Sequence, residues 1–561
     1  MNRRKKDIIS HLVAIITILA IVIIANRFFF RIDLTSDKRY TVSDNSKTII
    51  KNLDDVVFIK VYLDGDMNIA YNRMRKKIKE TLQEFKVIGK QNIEYVFENP
   101  FIGRADKEKR LQELVDEGFR YAYILGKDEE GGRNSKPVIP GVIISYKSNT
   151  IVVNLLEENS AIKKEDREMI QVENSIKSLE YNIIRAIKVV TQQKKEKIAF
   201  IQGHGELDRY DVYDMILELS NSYDVEPVWI NGKNEILDKY KLIIIAKPTE
   251  RFSKEDKIVI DQYIMNGGKV LWAIDRMNVP VDSLENGTLL VPYDLNLDDM
   301  LFKYGVRINP EIIQDFQSDQ LPLIPNYSRA SYDFTRWPYY ILFKSEKSPV
   351  SPEMQIVRCQ YASPVDLIEA RKEIQKTVLL KTSKLSRLKK ASSVISYGEV
   401  EYPLSKSDYD TFNLVTGVLL EGKFKSNFDR PNMKIYLGDE LYKVKKESDL
   451  NKMVIISDGD IIRNEYKVVG QGQFVPYPVG YNVYSHATFS NREFLMNVIS
   501  YLTDDIGLMS IRTRNLKVRR LDQMKIENKT KWQVINLISP VLLIAVLGFL
   551  YIDNRKKKYT R

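Results

Sequence analysis

The sequence predicts an α/β protein: two membrane-spanning helices flanking a large soluble body of two α/β domains. Three observations predict it. Residues 8–26 (IISHLVAIITILAIVIIAN) and 532–552 (WQVINLISPVLLIAVLGFLYI) carry no Asp, Glu, Lys or Arg. A bilayer core needs about 20 apolar residues at a rise of about 1.5 Å each, so both stretches are long enough to span it. Between them, short apolar runs alternate with amphipathic stretches, the pattern of strands buried on both faces between helices.

The elements follow in chain order. A basic tail, residues 1–7, holds Arg3, Arg4, Lys5 and Lys6 ahead of the first span at 8–26; a second, 553–561, holds Arg555, Lys556, Lys557, Lys558 and Arg561 after the span at 532–552. The positive-inside bias makes both tails cytoplasmic and the intervening body extracytoplasmic, a two-pass protein of the inner membrane. The first span is expected to stay uncleaved, because Asn26-Arg27-Phe28 follows it rather than a small-x-small site.

Residues 35–155 form the first domain, thioredoxin-like or of a similar α/β kind. Residues 56–63 read as a strand, and Met74, Ile78, Leu82 and Phe85 line one face of a helix at 71–88. A strand at 92–97, a helix near 106–118 and strands near 120–125, 137–146 and 150–155 complete it. Arg73, Arg75, Lys76, Lys77 and Lys79 crowd the 71–88 helix, as a solvated face or a contact for anionic lipid. A connecting helix, 161–192, carries the stripe Ile176, Leu179, Ile183, Ile187 and Val190.

Residues 195–505 read as a Rossmann-like, mostly parallel domain. Its strands are expected at 197–202, 225–230, 242–246 and 269–274, with helices at 209–222 and 253–266 between them. Runs at 377–380, 414–421 and 453–457 extend the sheet, a helix covers 491–503, and a basic linker, 511–531, leads to the second span. Segments 311–365 and 382–410, rich in Pro, Ser and Tyr, give no clear pattern.

Composition narrows the function classes. Of the 561 residues, nine cationic side chains lie in the two tails, so the formal charge of +11 leaves the body close to neutral. No basic run with interleaved aromatics lies outside the membrane flanks, so no nucleic-acid partner is expected. One cysteine, Cys359, excludes intramolecular disulfides and Cys₂ zinc sites. Neither Gly-x-Ser-x-Gly nor a Gly-x-x-x-x-Gly-Lys-Ser/Thr loop is present, and Cys359 sits in a strand-like stretch rather than at a strand-to-helix turn.

Two loops remain as candidate ligand-binding sites. Gly203-His204-Gly205-Glu206 follows the 197–202 strand, and Asp458-Gly459-Asp460 follows the 453–457 strand. Ligands gather beyond the carboxyl ends of parallel strands. His204 with Glu206 is an acid/base or metal pair, or a tight turn with a locally bonded imidazole. Asp458 and Asp460 suit a cation or sugar hydroxyls, or an unliganded turn.

The motifs carry a resemblance over nearly the whole chain. Residues 33–43 (DLTSDKRYTVS), 198–207 (IAFIQGHGEL), 378–383 (VLLKTS), 418–426 (VLLEGKFKS), 453–464 (MVIISDGDIIRN), 491–497 (NREFLMN), 501–505 (YLTDD) and 511–514 (IRTR) are similar to the gliding motility-associated ABC transporter components of the GldG family. The resemblance implies a non-enzymatic, membrane-anchored auxiliary subunit that works with a separate ATPase and a separate permease. It also implies a region related to a domain of intraflagellar-transport proteins, akin to Rossmann-like amidotransferase and sugar-binding folds. It carries no catalytic residue, cofactor or metal to this chain. The body is then expected to bind a glycan or a periplasmic protein. A glycan hydrolase using His204, Glu206, Asp458 and Asp460, and a structural envelope tether, are the competing readings.

Overall fold

The computed structural model describes residues 41–511, apart from 104–105, 128–132, 157–166, 193, 234, 327–330, 352–354, 370–371, 430–434, 438–439, 443, 471–472, 506 and 509–510, together with 12–13, 15–17 and 529–559. The chain divides into two units: residues 41–514, and residues 1–40 with 515–561.

The larger unit begins with α1 (Asp44–Lys51), whose N-cap Ser43 accepts from the Ser46 N–H. Then β1 (Val57–Val61), α2 (Ile69–Gly89), β2 (Ile93–Phe97), α3 (Lys107–Asp116), β3 (Gly141–Tyr146) and β4 (Asn149–Asn154) build a four-stranded sheet in the order β2-β1-β3-β4. β1 and β2 are parallel; β3 and β4 pair antiparallel. The predicted stripe of α2, Met74, Ile78, Leu82 and Phe85, is fully buried. α4 (Arg167–Thr191) packs Leu179, Ile183 and Ile187 into this same core rather than merely leading onward.

Next come β5 (Glu196–Gln202), α5 (Tyr213–Ser220), β6 (Tyr223–Trp229), β7 (Leu242–Ala246), α6 (Lys254–Met265), β8 (Lys269–Ala273), α7 (Asp298–Tyr304), β9 (Ser318–Asn326), β10 (Ser331–Ser345), β11 (Ile356–Gln360), β12 (Ile374–Lys381), β13 (Val415–Lys425), β14 (Glu447–Ile456) and α8 (Asn491–Thr503). A ten-stranded sheet runs β9-β10-β12-β13-β14-β8-β7-β5-β6, with β11 paired to β10. Pairing is parallel from β14 through β8, β7 and β5 to β6, and antiparallel from β14 through β13, β12 and β10 to β9.

Alternation with period two explains the apolar runs of the parallel strands. Ala199, Ile201, Ile243, Ile245, Val270 and Trp272 face one core with Ile258 and Ile260 of α6 and Tyr304 of α7. Ile198, Phe200, Leu242, Ile244 and Leu271 face the other with Met215 of α5 and Phe494 and Val498 of α8. Each fully buried aliphatic side chain of this kind contributes roughly 1.5–3 kcal/mol.

The predicted fold class needs correction. Instead of a thioredoxin-like domain followed by a Rossmann-like, mostly parallel one, the body is mixed α/β with many sheets, and most of its strand pairings are antiparallel. Long strands such as β10 and β13 run antiparallel to their neighbours, so no crossover helix is needed between them. The two flanking spans are corrected as well. Among the described residues one helix, Thr530–Lys557, is long and apolar enough to cross a membrane. It lies within α9 (Lys529–Tyr559), is exposed along its length and carries Pro540 in its interior. The expected first span, 8–26, falls almost wholly outside the described residues.

Candidate functional site at the carboxyl edge of the parallel strands

The loops after β5, β7, β8 and β14 all leave from one edge of the sheet, and the strand order reverses at β5, whose two neighbours are β6 and β7. That is where an open α/β sheet places ligands. Both loops singled out in the sequence are there, and each bonds to a different set of partners.

Gly205 turns the chain after β5 with φ of 70°, and a Cβ on it would lie 2.1 Å from Thr249 Oγ1. Only glycine permits this approach of the two loops. The turn buries His204, which is 4% exposed. Its Nδ1 lies 3.0 Å from Glu206 Oε1, its Nε2 3.1 Å from Asp256 Oδ2, and its ring stacks on Phe252 at 3.7 Å. The His204 carbonyl accepts from Thr249 N at 2.9 Å and Glu250 N at 2.8 Å. Asp256, on the first turn of α6, also accepts from Gly232 N at 2.7 Å and Ser253 Oγ at 2.8 Å.

Burial alone lowers the imidazole pKa, but hydrogen bonds to Asp256 and Glu206 outweigh it and raise it to about 9. His204 is therefore an imidazolium with both N–H groups donating to carboxylates. Both ring nitrogens are thus engaged by carboxylates at neutral pH. The imidazole bonds one carboxylate in its own turn, Glu206, and one on the helix after β7, Asp256.

The second cluster joins Asp458 and Asp460 to two groups the sequence reading missed. Asp275 follows β8, and Lys247 follows β7 in the left-handed region at φ of 54°. Lys247 Nζ lies 3.2 Å from Asp275 Oδ2 and also pairs with Asp460 Oδ2. Gly459 N donates to Asp275 Oδ1 at 2.6 Å, and Asp458 accepts from Asp460 N at 2.8 Å and Gln360 N at 2.9 Å. Gly459 must lack a side chain: its Cβ would lie 2.5 Å from that of Lys247.

One ammonium thus faces three buried carboxylates. Burial lowers the Lys247 pKa, but Asp275 and Asp460 overcome this and keep the group firmly charged. Burial, reinforced by Asp275 and Asp460, raises Asp458 far above the usual carboxylate range. Burial raises Asp275 to about 6, with Lys247 opposing and Asp460 assisting. The cluster stores protons. Oxygens of Asp275, Asp458 and Asp460 lie within 4.8 Å of one another, close enough to hold a hard cation, yet Lys247 already supplies a cation among them. Cys359 is buried in β11; burial first, then Asp458, pushes its thiol pKa well up, the environment of an inert thiol rather than a nucleophile.

The sequence could have disclosed Asp256, Asp275 and Lys247. Lys247 and Asp275 stand within two residues of the ends of β7 and β8, and Asp256 opens the helix after β7. The rule that singled out 203–206 applies to each.

An α/β body with its ionic clusters at the carboxyl edge, and an apolar helix outside it, defines the class. Residues 195–498, more than half of the chain, match the family described as "ABC-type uncharacterized transport system", and the protein belongs to that family. Residues 36–145 match a second family, a domain of unknown function (DUF7088). A Borreliella burgdorferi protein named only as uncharacterized is 21% identical over 545 residues, covering 94% of each chain. Among solved structures, an mmIFT52 N-terminal domain is 14% identical with a TM-score of 0.32, over 55% of this chain and 99% of that one. An exo-β-1,4-mannosidase from Opitutaceae bacterium strain TAV5 is 10% identical with a TM-score of 0.18, over 64% and 50%. The protein is thus an ABC transport auxiliary protein. Its family and its apolar helix near the carboxyl terminus point to membrane association.

Proposed function

We propose that this chain is a non-enzymatic accessory subunit of an ABC transport complex. Its apolar helix Thr530–Lys557 anchors it in the cytoplasmic membrane, and Arg555, Lys556 and Lys557 mark the cytoplasmic end by the positive-inside bias. The α/β body then stands on the extracytoplasmic side and binds a ligand or protein on behalf of a separate permease and a separate ATPase. By its motif resemblance, the proposal extends to gliding motility and the GldG family.

One observation carries this reading over a hydrolase. The residues that would serve as acid, base or nucleophile at the carboxyl edge are spent on each other, in contacts of His204 with Glu206 and Asp256, and of Lys247 with Asp275 and Asp460. A working acid/base pair instead needs reach to substrate. The sequence also lacks a phosphate loop, so ATP hydrolysis falls to another chain.

Affinity purification of the full chain in mild detergent tests the proposal. Recovery of an ABC ATPase and a multi-span permease is the expected result. Repeated recovery of neither defeats it.

A further inference from the structure

Away from the carboxyl edge, a polar cavity of about 430 Å³ opens between β4 and α4 on one side and the ends of α5 and α8 on the other. Ligand pockets occupy roughly 300–1,000 Å³ and favour the junctions between folding modules, and this cavity meets both criteria. The first, four-stranded module and the ten-stranded sheet each contribute a wall.

Its distinctive group is Arg185. α4 buries Ile183, Ile184 and Ile187 in the core and turns Arg185 to the cavity. The guanidinium donates to Ser222 Oγ at 3.3 Å and meets Tyr181, Tyr223 and the Glu218 carboxylate, itself paired with Arg120; among the described residues no ion pair within 4 Å engages it. The other arginines of the cavity are committed elsewhere: Arg120 to Glu218 at 3.0 Å and Arg492 to Asp214 at 3.1 Å. A guanidinium presents five donors in a planar fork that matches a carboxylate or phosphate. None of these contacts is a close carboxylate pair, so the fork keeps donors for an oxyanion. Asn182, three residues earlier on the same helix face, also lines the cavity.

We propose that this cavity binds a small polar ligand bearing an oxyanion, a carboxylate or a phosphate, gripped by Arg185 and hydrogen-bonded by Asn182 and Ser222. The space exceeds that of a bare anion, so the oxyanion is one end of a larger hydroxyl-rich molecule. The inference rests on the ligand-binding role proposed for the body and supplies the chemistry of its ligand.

Calorimetric titration of the full chain in detergent tests it, with inorganic phosphate, glucose 6-phosphate and glucuronate as probes and glucose as the uncharged control. The expected result is binding of a charged sugar, absent for glucose and weakened by salt because the contact is ionic. The phosphate and carboxylate arms tell which oxyanion is preferred. Arg185→Gln is expected to abolish the signal. Asn182→Asp is the second variant: it places a carboxylate three residues before Arg185, pairs with it internally, and is expected to weaken binding at least about tenfold in a chain that keeps its fold. Silence from every charged probe, or binding that ignores Asn182→Asp, overturns the assignment. A chain that still recovers the ATPase and permease while ignoring all probes sinks the cavity alone and leaves the accessory role standing.

Discussion

The two ionic clusters at the carboxyl edge differ in what governs their carboxylates: hydrogen-bond donors beside His204, burial and neighbouring carboxylates beside Lys247. His204 is one cation touching two carboxylates, Glu206 and Asp256, each also held by N–H or O–H donors. Lys247 sits among three carboxylates, Asp275, Asp458 and Asp460, and the more exposed Arg463 reaches only Asp460, at 3.6 Å. In a buried site, excess negative charge is relieved by binding protons. Burial acts to raise Asp256, but hydrogen bonds from His204, Gly232 and Ser253 outweigh it and hold the carboxyl below its usual range, whereas the Lys247 cluster keeps Asp458 protonated. Burial is the first cause that raises Asp275 and Asp458, and the neighbouring carboxylates add to it.

Removing the ammonium should break this comparison most severely. Lys247→Met leaves the acid trio with only Arg463, 3.6 Å from Asp460 Oδ1, as a nearby cation. Loss of one partner from a buried pair costs about 3–5 kcal/mol, so chemical unfolding of the detergent-solubilised chain should show a loss of that size. A change under about 1 kcal/mol would mean the trio is wetter than its burial implies.

His204→Ala comes next. It removes the imidazolium between Glu206 and Asp256 and the stack on Phe252, and should cost about 2–4 kcal/mol at pH 7. Its effect should depend on pH with a defined sign. A pKa raised in the folded state, to about 9, gives stability that is complete below the unfolded value near 6.5 and fades as pH rises through 9. The wild-type chain should thus lose stability between about pH 6.5 and 9, and His204→Ala should flatten that slope. Asp275 acts in a lower window. With its folded pKa raised to about 6, its contribution is complete below the ordinary carboxyl value near 3.8 and is lost as pH rises towards 6. Asp275→Asn should reduce the slope between about pH 4 and 6, the remainder coming from Asp458.

Asp458→Asn should do least. Its carboxyl is already held neutral by burial and by Asp275 and Asp460, so the amide replaces a group of the same charge and similar shape. A change under about 1 kcal/mol is expected near pH 4, where the carboxyl is largely neutral in the unfolded chain too, and a gain in stability over wild type as pH rises towards 7, because the wild-type carboxyl must bind a proton to fold. A loss as large as that of Lys247→Met would reverse the assigned protonation.

The same regions show what the sequence made legible. β5, β7 and β8 were readable because burial on both faces leaves continuous apolar runs, and the site loops followed from the ends of those strands. The antiparallel half was not. β9 contains Pro322 and Pro325 and β10 contains Pro338, residues that read as strand breakers, yet β9 is an edge strand where proline is tolerated. Asp458 and Asp460 were found as a pair, but their real partners, Asp275 and Lys247, lie about 180 to 210 residues away in the chain. Only the ordering of β7, β8 and β14 side by side brings them together. His204 was found without Asp256 for the same reason: the bond crosses from one loop to the first turn of another strand's helix. Neither signal is local, and period and propensity report only local order.

The central claim is that His204 is a strut charged at neutral pH rather than a base titrating near 6.5. Its proton can be followed directly by NMR of the full chain with isotope-labelled histidine, since only His11 and His486 share the spectrum and substitution assigns each. The account predicts an imidazolium that persists to about pH 9, with both ring N–H protons slow to exchange. An imidazole that deprotonates near pH 6.5 would contradict it and return His204 to the set of candidate bases.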